Sequence, residues 1–246
     1  MTAKIRPAHV RLGLAAVALT ALVSGCAGQG TATPSIPAEV VDRDWRDCIQ
    51  EALLDHPEVT DVQQLTSLTC HSMTVYSFDD LSVLSGLESL TVNQSALTTL
   101  AGLQALPNLT TLNVAESHVV VFDDLAKATT LESLQLDDVN LTTLSPIYSL
   151  TNLTHLTFWK TGVTSLTPLR NLTSLEQLSF FSTPVADLSP LAGLANLTKV
   201  ILSDTAVTDL TPLIGLPKLT DLSINSDLAS TLPPELLRDD LLIRSD

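Results

Sequence analysis

The chain has 246 residues, of which 45% are hydrophobic, only 4% aromatic and 16% charged, with a formal charge of −15. Its apolar mass is Leu, Val and Ala, and a core without aromatics needs many similar side chains packed in register, as repeat proteins do. The acidic balance excludes nucleic acid as a partner, since phosphate binding needs clustered Lys and Arg, and it excludes docking on anionic lipid through a basic patch.

The first residues read as a targeting segment. Lys4, Arg6 and Arg11 are basic, and an uncharged apolar run follows from Leu12 to Val23. That run is too short to span a bilayer and has the length of a signal-peptide core. Residues 1–25 are therefore expected to be removed. Leu22-Val23-Ser24-Gly25-Cys26 resembles a bacterial lipobox. The resemblance implies that Cys26 becomes the lipidated N-terminus and holds the protein on a membrane outside the cytoplasm; in an ordinary signal peptide that Cys would be incidental. Loss of three basic residues and no acid takes the formal charge from −15 to −18.

Residues 26–42 are dominated by Gly, Ala, Thr, Ser and Pro and predict a flexible tether. Residues 43–64 predict an N-terminal helical cap. Asp44 reads as its N-cap and Asp47 as a near-capping-box acid. Trp45, Cys48, Ile49, Ala52 and Leu53 line one face, and His56-Pro57 ends the helix.

From Leu65 the chain repeats. Leu65, Leu87, Leu109, Leu131, Leu153, Leu175, Leu197 and Leu219 recur every 22 residues. The unit is L-x-x-L-x-[LVIF]-x-x-[ST]-x-V-x-x-L-x-P-L-x-x-L-x-x, and residues 65–224 hold eight copies before the pattern breaks at Asn225, leaving 225–246 as a C-terminal cap. The alternation in L-x-x-L-x-L is a short strand with one buried face. A 22-residue turn leaves no room for a full α-helix, so the return limb is extended or 3₁₀. Ser145-Pro146, Thr167-Pro168, Ser189-Pro190 and Thr211-Pro212 suit that limb, with the hydroxyl as cap and Pro at the first helical position. The predicted fold is an α/β leucine-rich-repeat solenoid with parallel strands on its concave face.

The repeats resemble those of internalins, the short-repeat bacterial leucine-rich proteins. Thr208 to Leu216 and Ala186 to Leu194 look like that family's D-[IL]-x-P-L segment, and the helix before the first repeat resembles its N-terminal cap. One column departs from the family. Position 9, typically Asn there, reads Met73, Ser95, Ser117, Val139, Thr161, Thr183 and Thr205. Hydroxyls can bond the backbone more weakly than Asn, whereas Met73 and Val139 cannot bond it at all. No immunoglobulin-like domain or wall-sorting signal is recognisable after the repeats, so an invasion role is not carried over.

Cys48 and Cys70 are the remaining cysteines. Cys48 falls on the apolar face of the cap helix and Cys70 at an inward position of the first strand. An even pair in an oxidising compartment predicts one disulfide, with two buried thiols the alternative.

No catalytic motif is present: no H-E-x-x-H, G-x-S-x-G, P-loop or dinucleotide fingerprint. His71 and His155 fall four strands apart, about 20 Å, and cannot share a metal. Acidic pairs such as Asp79-Asp80 and Asp123-Asp124 fit solvated turns. The sequence therefore predicts no enzyme, no cofactor and no metal.

What remains is surface. Repeat positions 3, 5, 7 and 8 face the concave side, and the first four repeats place mainly small polar residues there. Repeats five to seven instead bring Trp159 and Phe181 into one column, surrounded by His155, Lys160, Gln177, Lys199 and Ile201. Exposed aromatics with basic neighbours have the composition of a binding hot spot. A one-residue register slip would bury these two rings, and a C-terminal tail folded back would cover them. Phe158 and Phe180 align with Val92, Val114 and Leu136, which sets the register against the slip. The expected function is protein binding through this face, with glycan or cell-wall binding second and a passive envelope scaffold third.

Overall fold

A computed structural model describes residues 34–245. The signal segment and Cys26 lie outside the described residues. An N-terminal helix, α1 (Arg43–Asp55), precedes nine parallel strands whose order in the sheet is their order in the chain. These are β1 (Ser67–His71), β2 (Ser89–Asn93), β3 (Thr111–Ala115), β4 (Ser133–Asp137), β5 (His155–Thr157), β6 (Gln177–Ser179), β7 (Lys199–Ile201), β8 (Asp221–Ile224) and β9 (Leu242–Ser245). Short 3₁₀ turns fill the return limbs. The fold is a leucine-rich-repeat solenoid.

The 22-residue period becomes the pairing register. Leu68 pairs with Leu90, Leu90 with Leu112 and Leu112 with Leu134, so each leucine stacks on its equivalent one turn away. The strand, turn and limb leucines of every repeat are buried, and one continuous core runs from Val40 to Leu241. Phe158 and Phe180 are fully buried and stack at 5.8 Å, so the register of repeats five and six is the one their alignment predicts.

Position 9 behaves as its hydroxyls suggest. Thr161, Thr183 and Thr205 each donate from Oγ1 to the carbonyl three residues earlier, at 2.9, 2.7 and 2.7 Å. Ser117 donates to the Ala115 carbonyl at 2.9 Å and lies 2.9 Å from the Ser95 hydroxyl. Met73 and Val139 are buried with the core. The preceding position 8 is left-handed in all seven of these repeats, from Ser72 (φ 56°) to Asp204 (φ 54°), with no glycine among them.

Four expectations are corrected. The N-cap of α1 is Asp42, which accepts the Asp44 N–H at 2.8 Å, and not Asp44. Asp44 turns outward and accepts the Thr74 N–H and hydroxyl, both at 2.6 Å. In the Pro-containing turns the hydroxyl beside Pro is the first turn residue and not the cap, a position held by a Leu. Thr143, Ser165, Asp187 and Asp209 accept the N–H two residues on, from Ser145, Thr167, Ser189 and Thr211, and Pro is the second turn residue. The tether stops short of residue 42, because Ile36 and Val40 pack on the core and Arg46 donates to the Pro37 carbonyl at 3.0 Å. Finally, 225–246 is more than a cap: it holds a ninth turn. β9 pairs with β8 as Asp221↔Leu242, a 21-residue step, after Leu228 and Leu236 have carried the core onward. The shorter step and changed leucine spacing hide this turn from a 22-residue pattern.

Cys48 and Cys70 form a disulfide that fastens α1 to β1. Among the described residues no helix is long and apolar enough to cross a membrane.

Candidate functional site

The described C-terminal residues extend the sheet as β9 instead of folding back, so they leave repeats five to seven uncovered. There Trp159 and Phe181 stack on the concave side with centroids 5.1 Å apart and planes 8° from parallel. Both rings are half-buried. Each residue follows a buried Phe, so alternation turns it outward. The spacing of the rings is close to that of neighbouring strands, which is why two aromatics at one repeat position stack face to face.

A cation joins the stack. Lys160 is held left-handed (φ 51°), and its Nζ lies 4.7 Å from the Trp159 ring centroid and 3.7 Å from Asp138 Oδ2. Asp138 belongs to the preceding rung and Phe181 to the next, so the ion pair draws the cation toward the rung before Trp159, while Phe181 stacks from the rung after it. A cation over an indole face is attracted by its quadrupole.

Beside the rings, along the same strands, His155, Thr157, Gln177, Ser179, Lys199 and Ile201 line a depression of about 210 Å³ floored by Leu156 and Leu178. Small side chains at position 5 of β5 and β6 open it. The structure thus brings together all seven residues of the sequence-predicted patch, as a stack with its cation and an adjoining hollow.

The charge of the patch is less positive than its lysines suggest. Lys160 pairs with Asp138, and Lys199 lies 3.8 Å from Asp221. Arg244 of β9 contacts the same Asp221, and this guanidinium is the main reason that carboxyl is held below its ordinary value. Lys199 and Arg244 thus share one carboxylate, which offsets part of their charge. The positive character of the patch is therefore reduced, and Lys160 also serves the indole.

Sequence alternation missed one member of the site. Asp137 occupies position 7, an outward position, yet it is fully buried. Its Oδ1 accepts the Trp159 backbone N–H at 3.1 Å, and its Oδ2 accepts from the Gln135 amide. Burial raises the Asp137 carboxyl above its ordinary value, against the Trp159 backbone N–H, the Gln135 amide and the Trp159 indole, which favour the charged form. Pairing changes here too. β3 and β4 pair over five residues to Ala115↔Asp137, whereas β4 and β5 pair over three and stop at Gln135↔Thr157. The one available signal was an acid a single rung before a Trp in the same column.

A wider cleft of about 650 Å³ lies between α1 and β1, edged by Asp47, Glu51, Asp55, His56 and His71. It is acidic and solvated, and two of its carboxylates are already engaged, Asp44 by Thr74 and Asp47 by Arg43. Among the described residues no three His, Cys, Asp or Glu are grouped to hold a metal ion.

No protein-family model matches the chain, and no curated protein matches it by sequence. Solved structures do. An internalin (inlF) from Listeria monocytogenes is similar at 27% identity and TM-score 0.65, over 88% of this chain and 72% of that one. An internalin C2 from the same species is similar at 26% identity and TM-score 0.52, over 67% and 82%. A leucine-rich-repeat protein of Leptospira interrogans shares the fold at 19% identity and TM-score 0.61, over 79% of this chain and 56% of that one. The repeats are thus similar to those of internalins, a likeness the Asp-Leu-x-Pro-Leu blocks share.

Proposed function

We propose that the protein is a non-enzymatic binding module, displayed outside the cytoplasm on a lipid attached at Cys26, that takes a protein partner through repeats five to seven. The observation that carries this reading is the Trp159–Phe181 stack, a preformed half-exposed aromatic pair on a mainly polar concave face. Rigid aromatic anchors beside a hollow are the usual centre of a protein interface, because they bury much area at small entropy cost. The hollow adds Lys199, His155 and Gln177, groups that suit an acidic side chain presented next to the partner's apolar contact.

A glycan is the weaker reading. A sugar stacks on an open aromatic face, and Trp159 already carries the Phe181 ring at 5.1 Å and the Lys160 Nζ at 4.7 Å from its own centroid. A passive scaffold would have no use for a stacked pair held half in solvent.

Capture of envelope proteins by the wild type, by Trp159→Ala and by Asn93→Ala tests the reading. Trp159→Ala is expected to cost on the order of 2 kcal/mol or more in binding, about thirtyfold, and Asn93→Ala almost nothing. Equal losses from both would spread binding over the whole face. The anchor has its own test: Cys26→Ser should move the protein from the membrane fraction to the soluble one, since a diacylglyceryl group supplies two chains and anchors stably.

A further inference from the structure

The concave site has a buried carboxylate at its edge that its surface does not reveal. Asp137 is the fourth residue in the column that continues as Trp159 and Phe181. Residues before it in that column, His71, Asn93 and Ala115, lie at ordinary strand ends and pair rung to rung. At Asp137 the ladder changes hands. A backbone N–H at this position in a parallel sheet ordinarily donates to a carbonyl of the neighbouring strand, but that of Trp159 donates to the Asp137 side chain. β5 ends two residues earlier than β4, and Trp159 stands just past that end with its N–H on a carboxylate, while its carbonyl still accepts the Asp138 N–H at 3.0 Å.

We propose that Asp137 is the positioning residue of the concave site: its buried carboxylate takes the Trp159 N–H in place of the strand ladder and so sets the indole against Phe181, and the ring is presented this way only while that carboxylate is charged. The inference deepens the proposed function, naming what prepares its anchor.

The chemistry follows from the donors. A carboxylate offers lone pairs to all comers and holds the Trp159 N–H and the Gln135 amide together. A protonated carboxyl keeps one carbonyl oxygen for the backbone N–H but turns a hydroxyl toward donors. The Gln135 amide must then flip, and the indole loses its charged neighbour. Because burial raises the Asp137 carboxyl above its ordinary value of 3.8, this occurs at a higher pH than for a solvated Asp. The sign for folding is opposite to that for binding. A raised folded-state value means that the native state takes up the proton more readily than the unfolded chain. The charged carboxylate thus lowers stability as pH rises through that window, while it prepares the site.

Other titratable or charged groups flank Asp137. Glu116 on the β3 side accepts from Gln94 at 3.0 Å, Asp138 and Lys160 pair with each other, and His155 at the start of β5 lies 2.8 Å from the Thr154 hydroxyl. With these groups close by, a pH effect must be assigned to Asp137 by substitution.

The test uses the intrinsic fluorescence of the whole protein, which has two tryptophans, Trp159 and the fully buried Trp45. Emission and acrylamide quenching are followed against pH in the wild type, Asp137→Asn, Gln135→Met and Trp159→Phe. The expected result is a wild-type transition centred above the ordinary Asp value, with quenching higher on the acid side. It should be lost in Asp137→Asn and Trp159→Phe, and moved upward in Gln135→Met, which lacks a donor to the charged form. A melting temperature of Asp137→Asn at neutral pH equal to or above that of the wild type shows that the residue is placed for the site and not for the fold. The same transition in Asp137→Asn, or none in the wild type, overturns the proposal. Trp159→Ala leaving capture unchanged would instead overturn the proposed function and leave this titration standing.

Discussion

Phe180 and Phe181 are consecutive in the chain and stack on opposite sides of one sheet. Phe180 meets Phe158 at 5.8 Å inside the core, and Phe181 meets Trp159 at 5.1 Å on the concave surface. Two pairs of rings, each 22 residues apart, thus share a register and differ only in the side they face.

That relationship sets the first expectation. Phe180→Ala removes a fully buried ring from a core with neighbours above and below, and should cost about 3–5 kcal/mol in urea unfolding. Phe181→Ala removes a half-exposed ring and should cost about 1 kcal/mol or less, the worth of its stacking contact. Similar costs would mean that the concave stack is structural, and its half-exposure would then carry no functional weight.

The disulfide gives the second. Cys48 and Cys70 close a loop across 22 residues and tie α1 over the open end of the core. In the chain-entropy model a loop of this size is worth about 3 kcal/mol. Cys48→Ser with Cys70→Ser should lower the urea midpoint accordingly and slightly steepen the unfolding slope, because the denatured chain without its cross-link exposes more surface. A shift below about 1 kcal/mol would show that α1 is held by Trp45, Ile49 and Leu53 alone.

How far these relationships were legible depended on whether the period reached them. The leucine columns, the inward Phe158 and Phe180 and the outward Trp159 and Phe181 all follow from 22-residue spacing and strand alternation. So, in principle, do the ion pairs: Asp138 precedes Lys160 by one period and Asp221 follows Lys199 by one, and charges one rung apart were bound to meet. Reading columns singly gave the lysines a free charge that reading across rungs removes. Asp137 is different, because alternation makes it outward and only the large ring on the next rung buries it. Asp44 reads as the cap of α1 until Thr74, thirty residues away, is seen to engage it, a partner no local pattern reveals. β9 was hidden by a step of 21 residues instead of 22.

Asp44 yields a pH expectation. Its carboxyl is held below the ordinary value first by the Thr74 hydroxyl and then by the Thr74 N–H. A lowered folded-state value contributes stability above the unfolded value, and this is lost as pH falls through the folded one. The group is largely solvated, so screening keeps the contribution to about 1 kcal/mol or less. Asp44→Ala should melt below the wild type at pH 7, and the two melting temperatures should converge in strong acid. A gap that persists there would point to packing and not to the charge. In Thr74→Val the further loss on Asp44→Ala should shrink, because the hydroxyl partner is gone.

The left-handed column makes the last expectation, and its sign is the test. Ser72 has φ 56°, and its equivalents one to six turns on have φ between 49° and 55°. L-residues meet a carbonyl clash in this region that costs roughly 1–2 kcal/mol, least for Asn and Asp and most for β-branched side chains. Glycine escapes the clash but adds unfolded-state entropy of about 0.5–1 kcal/mol. Ser72 is exposed, and its hydroxyl makes one long contact, 3.4 Å to Gln94 Oε1, so little else is lost on substitution. Ser72→Gly should therefore raise stability by up to about 1 kcal/mol. Ser72→Val should lower it by about 1–2 kcal/mol, although Val is the better strand former. If position 8 were extended strand, both signs would reverse: Gly would weaken the strand and Val would suit it. Urea midpoints of the two variants against the wild type separate these cases with no assumption about the partner.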